Sequence, residues 1–103
     1  MNRSHFLGKL TDDPVLWESH SSVSVGFTLE VEEYRRGKDG SKKRRTDLLN
    51  FEAWDTAAKT IEKYAYKGDI MAVEAIARNQ SAKDPDVVIF RVTNFKIIPD
   101  NKP

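Results

Sequence analysis

The sequence predicts an all-β domain of five strands, with one α-helix between the third and fourth. Three observations carry that reading. Period-two alternation runs through Val23–Glu32 and returns in Asp47–Trp54, which marks half-buried strands. Helical spacing occurs once, over Asp55–Ala65. Two further strand-like stretches, Ile70–Gln80 and Val87–Ile98, then flank a cluster of turn residues. At 103 residues the chain is long enough for one core and too short for two. A hydrophobic fraction of 39%, with five Phe, three Tyr and two Trp, supplies that core and argues against disorder along the whole chain.

Taken in order, Phe6–Leu10 reads as a short first strand. Asp13-Pro14 breaks it before a brief extension, Val15-Leu16-Trp17. In the second strand Val23, Val25, Phe27, Leu29 and Val31 face the core. In the third, Leu49, Phe51 and Ala53 fall on one face, with Leu48, Asn50, Glu52 and Trp54 on the other. Asp39-Gly40 lies between these two strands and is a strong turn signal there. The pair is therefore expected to form a long hairpin that reaches past the body of the fold. Asp55 is placed to cap a helix start, and Ala57, Ala58, Ile61, Tyr64 and Ala65 recur at helical spacing. Lys67-Gly68-Asp69 ends the helix, with Gly68 as its left-handed cap. Ser81–Asp86 is read as the turn before the last strand. This order is that of the OB-fold, a five-stranded, partly open Greek-key barrel. It covers residues 1–98 and leaves 99–103 as a short C-terminal end.

Charge is where function first shows. The formal net charge is only +1, which alone argues against a polyanion binder. Arg35–Arg45, however, holds seven basic residues and one acid, a local +6, and the remaining chain carries −5. Other classes are excluded more simply. There is no Cys, so disulfide scaffolds, thiolate catalysis and Cys-based zinc sites fall away. No apolar run approaches the roughly 18 residues a membrane span requires, and Met1–His5 lacks a signal-like apolar stretch. The chain reads as a cytoplasmic protein without cofactor or metal.

Several segments, in order, resemble bacterial-type single-stranded DNA-binding proteins. Met1-Asn2-Arg3, Phe6–Thr11 and Asp13-Pro14 are similar to their opening, and Phe27-Thr28-Leu29 with Val31 to their second strand. Asn50, Ala53-Trp54, Ala57-Ala58, Tyr64, Lys67-Gly68-Asp69 and Ala72-Val73-Glu74 resemble the later elements. The resemblance spans residues 1 to about 98. It implies binding of single-stranded DNA without sequence preference, in replication, recombination or repair. Aromatic rings would stack on bases and cations would track phosphates. Trp54 and Tyr34 are the stacking candidates. Leu48, Asn50 and Arg78 occupy groove positions. Arg35, Arg36, Lys38, Lys42, Lys43, Arg44 and Arg45 are the phosphate candidates, joined by Arg3 and Lys9 from the first strand. The resemblance also implies a homo-oligomer, dimer or tetramer, with His5 and Leu7 on the strand that forms the contact.

Departures from the family pattern are informative. Leu48 stands where an aromatic ring is common, and Ala82 lies near another such position. Glu52 puts an acid on the presumed DNA face, and Asp55 and Ala75 replace glycines. Fewer stacking platforms and more electrostatics are the implied consequence. With Pro103 as the terminus, the family's acidic recruiting tail is absent. Trp17 has no counterpart and is read as local packing. Two other binding roles stay open: a primosome-type OB accessory with a replication-restart partner, and an RNA-binding OB module. Catalysis is not expected, because Glu30 and Glu32 lie on a solvated strand face and neither His5 nor His20 has a nucleophile beside it.

Overall fold

Alternating apolar positions organise the chain into six strands, as a computed structural model that describes residues 1–100 shows. They are β1 (Ser4–Leu10), β2 (Val15–Glu18), β3 (Val23–Arg36), β4 (Lys42–Trp54), β5 (Ile70–Ser81) and β6 (Asp84–Ile98). One helix, α1 (Asp55–Tyr64), lies between β4 and β5. Residues 101–103, the last part of the expected C-terminal end, lie outside the described residues.

The strands follow the order β1-β5-β6-β4-β3-β2, and β1 turns back to pair with β3 through Lys9↔Glu30 and Leu10↔Leu29. That second pairing closes β1, β5, β6, β4 and β3 into the expected five-stranded barrel. Its one parallel seam joins β4 to β6 at Phe51↔Phe90 and Glu52↔Arg91. The brief Val15–Trp17 extension is a strand outside the ring. As β2 it continues along the edge of β3 beyond β1, from Val15↔Gly26 to Glu18↔Val23.

Inward positions fill the barrel. Leu10, Val25, Leu29, Phe51, Ile61 and Met71 are fully buried, and Ala58 and Ile61 bring α1 onto the core. Four phenylalanines form its centre. Phe27 stacks on Phe51 at 5.4 Å between centroids, while Phe6 meets Phe51 edge-on at 5.2 Å and Phe90 at 4.9 Å. Such pairs add about 0.5–1.5 kcal/mol each beyond the area they bury. Gly8 sits where β1 crosses β3. A Cβ there would stand 2.8 Å from the Glu30 carbonyl oxygen and 3.0 Å from Leu29 Cβ, so only glycine permits the crossing.

Both long hairpins outrun the ring. The radius of gyration is 15.3 Å, against about 13 Å for a compact domain of this length. The β3–β4 arm pairs without interruption to Arg36↔Lys42 and closes through Gly37–Ser41. Gly40 takes φ 82° there, and Asp39 Oδ1 accepts bonds from the Ser41 amide and hydroxyl. These bonds hold the Asp39 carboxyl below the usual carboxylate range, the hydroxyl contributing most.

Three local expectations need correction. Asp55 does not cap α1. Trp54 is the N-cap with no side-chain hydrogen bond, and Asp55 opens the first turn at φ 55°. A glycine, which the resemblance implied at this position, would adopt that left-handed backbone without strain. Gly68 is left-handed, φ 95°, but Ala65 is the C-cap. Gly68 instead serves the turn Tyr66–Asp69, closed by the Asp69 amide on the Tyr66 carbonyl. Asp69, buried, fixes that turn by accepting from the amides of Tyr66 and Asp100. The Ser81–Asp86 turn contracts to Ala82-Lys83, and Pro85 lies within β6. Only β5 flanks β6 there, so the missing proline N–H costs no second ladder.

Candidate nucleic-acid interface

Strand parity decides which side chains of the β3–β4 hairpin share a surface. In the unbroken register the outer face carries the pairs Ser24↔Trp54, Gly26↔Glu52, Thr28↔Asn50, Glu30↔Leu48, Glu32↔Thr46, Tyr34↔Arg44 and Arg36↔Lys42. Trp54, Asn50, Leu48 and Tyr34 therefore project from one surface, as the sequence implied. Leu48 is 63% exposed, Tyr34 52% and Trp54 38%. Thr28 Oγ1 donates to Asn50 Oδ1 at 2.8 Å and holds the amide across the strands. Lys9 joins this surface through its pairing with Glu30.

The same parity splits the basic run. Arg36, Lys42 and Arg44 stand on the Trp54 face, whereas Arg35, Lys43 and Arg45 stand on the opposite one. Lys38 lies in the closing turn. On the Trp54 face Lys42 Nζ sits 4.7 Å from the Tyr34 ring centroid, and Arg44 lies 3.5 Å from Glu32. The Tyr34 hydroxyl donates to that same Glu32 carboxylate at 3.1 Å. On the far face Arg45 pairs with Asp47 at 3.3 Å. These exposed pairs contribute little stability, so the cations remain free to exchange a carboxylate for a phosphate.

Beside this face runs a groove of about 420 Å³. The β1–β2 turn (Thr11, Asp12, Asp13) forms one wall, and Gln80 with Val87–Ile89 of the β5–β6 hairpin forms the other. Gly26, Thr28 and Asn50 lie along its floor. A barrel face flanked by these two loop regions is where OB-folds take oligonucleotides. Asp13 is engaged, accepting from the Lys67 amide at 2.7 Å. Asp12 adds an acid at the rim.

Arg91 was missed by the sequence reading. It is paired with Glu52 across the parallel seam, its Nη2 3.4 Å from the Glu52 carboxylate and its guanidinium 5.3 Å from the Trp54 ring centroid. The alternation of Val88, Phe90 and Val92 was the available signal, since it turns position 91 outward. Glu52 also accepts the Trp54 indole N–H. The carboxylate thus orients the ring while opposing any phosphate near it.

Two candidates lie apart from the hairpin face. Arg78 pairs with Ile89 on the outer side of β5–β6 and lines a second depression with Asn2 and Ala82. Arg3 Nε is 3.0 Å from Glu74, whose carboxylate also lies 3.6 Å from His5 Nε2. Arg3 is thereby drawn to the β1–β5 surface, where Leu7 is 61% exposed beside His5. Trp17, expected to pack locally, is instead 65% exposed on β2. Its strand, β2, is an edge strand outside the barrel.

Comparison with known proteins agrees with this geometry. The family model described as "Single-strand binding protein family" matches residues 1–100. "Single-stranded DNA-binding protein 2" of Staphylococcus aureus is 29% identical over 87 residues, covering 84% of this chain and 60% of that protein. Its namesake from Listeria monocytogenes is 30% identical, covering 84% of this chain and 53% of that one. The chain thus spans little more than half the length of these relatives. Among solved structures, a single-stranded DNA-binding protein from Thermus aquaticus superposes with a TM-score of 0.84 at 14% identity, covering 98% of this chain and 52% of that one. A Plasmodium falciparum SSB in complex with ssDNA gives 0.78 at 19% identity, covering 95% and 93%. With the family model extending along nearly the whole length, this chain belongs to the single-strand binding protein family.

Proposed function

We propose that the protein binds single-stranded DNA without sequence preference, along the outer face of β3–β4 and the adjoining groove. The observation that carries this is one register. It sets Tyr34, Leu48, Asn50 and Trp54 on one surface with Arg36, Lys42 and Arg44. Rings and cations in one path are what a flexible, stackable polyanion needs, and nothing in that set reads a particular base. Arg35, Lys38, Lys43 and Arg45 supply long-range attraction from the tip and the opposite face. The role that follows is to cover exposed strands during replication, recombination or repair, in the cytoplasm and at the nucleoid, by binding and not by catalysis. No helix among the described residues is long and apolar enough to cross a membrane.

The surface around His5 and Leu7 is our candidate for assembly into a dimer or tetramer. Leu7 faces outward between Ala72 and the end of β1, with the Arg3–Glu74–His5 cluster at its side. Its apolar centre and charged border have the composition of a subunit contact.

Anisotropy titration of a labelled oligothymidine tests the binding role, with a duplex of equal length and a matched RNA as competitors. Binding that excess duplex does not displace supports the proposal. Equal displacement by duplex contradicts it, and stronger displacement by RNA assigns the face to RNA instead.

A further inference from the structure

Trp17 and Trp54 stand in one cross-strand row. Trp17 of β2 pairs with Ser24 of β3, and Ser24 pairs with Trp54 of β4, so all three side chains leave the same face. Two strand spacings, about 10 Å, separate the two tryptophan backbones. What lies between is small: Ser24 in the row itself, and Gly26 in the next. The Trp17 indole nitrogen is 3.9 Å from the point where a Cβ on Gly26 would stand, so its ring leans towards the groove that Gly26 floors. Trp54 is backed by the Arg91 guanidinium at 5.3 Å. Trp17, at 65% exposed, is more open than Trp54.

We infer that Trp17 is a further base-stacking platform beside Trp54 and Tyr34, which carries the nucleic-acid path across Ser24 and Gly26 from β4 onto the edge strand β2. This rests on the single-strand reading above and extends it to a strand that reading does not use. Its ligand is an unpaired nucleobase. Stacking on a ring face tolerates any base, and an edge strand has open space on its far side to receive the continuing backbone. Val15, also on β2, pairs with Gly26 and lines the same groove, which makes the surface continuous between the groove and Trp17.

The chain has only two tryptophans, so each can be made the sole indole reporter. In Trp54→Phe, titration with oligothymidine is expected to quench the remaining Trp17 emission in step with the anisotropy of a labelled strand. In Trp17→Leu, affinity is expected to fall about thirty-fold, the middle of the range for losing one stacked base, while Trp17→Phe stays close to the parent. Should Trp17→Leu melt below the parent, the Trp17 emission in Trp54→Phe decides by itself. Trp17 emission that stays constant in Trp54→Phe while the labelled strand binds would overturn the inference and leave the single-strand reading intact. Failure of the parent to bind the strand at all would overturn both.

Discussion

The Glu52 carboxylate accepts the Trp54 indole N–H and lies 3.4 Å from the Arg91 guanidinium. One acid therefore fixes a ring proposed to stack and neutralises the cation behind it. Removing its charge while keeping an acceptor should separate these roles. In Glu52→Gln we expect oligothymidine to bind roughly five-fold more tightly, about 1 kcal/mol for one repelling charge at a partly screened site. Arg91, freed from its pair, should steepen the salt dependence by about 0.7 in log–log slope. The same variant should lose about 1–2 kcal/mol of stability, because the Glu52–Arg91 pair is largely shielded. Isotherms at three salt concentrations and a thermal melt read both effects. Weaker binding would show that the carboxylate's hold on Trp54 matters more than its charge.

Strand parity predicts that the two halves of the basic run are not equivalent. Replacing Arg36, Lys42 and Arg44 by Ala should lower the salt slope by about 2, since each single-strand phosphate contact contributes about 0.7. Replacing Arg35, Lys43 and Arg45 should lower it by less than half as much. Equal reductions would mean that the strand wraps the hairpin and does not follow one face.

Gly8 makes a prediction about the barrel itself. In Gly8→Ala the new methyl meets the Glu30 carbonyl oxygen at 2.8 Å, and backbone on both strands has to move. We expect a loss of about 2–3 kcal/mol. For a domain of this size that lowers Tm by at least about 8 °C. An unchanged melting temperature would show that the β1–β3 crossing is looser than the structure indicates.

Asp55 tests the junction beneath Trp54. Its φ of 55° is tolerated by Asp, is free for Gly and costs a Cβ residue without a local hydrogen bond about 1 kcal/mol. Asp55→Gly should therefore be more stable than Asp55→Ala by about that amount in urea unfolding. The opposite order would mean that helix propensity outweighs backbone handedness at this position.

Much of this was legible in the sequence, and the parts that were not have definite causes. Alternation placed Val25, Phe27, Leu29, Phe51 and Ala53 inside and Trp54 outside, because within one strand the period alone fixes the face. Asp55 and Gly68 misled for a shared reason: a residue type suited to a cap is also suited to a left-handed turn. Arg91 stayed hidden because its neighbours come from a parallel seam only two residue pairs long. That register is set by barrel closure and not by any local pattern. Trp17 was misjudged because a tryptophan is usually packed, and only the pairing of β2 with β3 shows that it faces the same way as Trp54. The split of the basic run follows from parity already present in the sequence, once the hairpin is known to stay in register as far as Arg36↔Lys42.

In the proposed complex a single strand follows the outer β3–β4 face from the basic tip to the Trp54 row. Mapping NMR shift changes on titration with oligothymidine tests it most directly. The largest changes are expected at the Trp54 indole and the Asn50 side-chain amide, and at the backbone amides of Thr28, Tyr34, Leu48 and Arg44. Changes centred instead on His5, Leu7 and Glu74, with Trp54 and Asn50 unmoved, would contradict it.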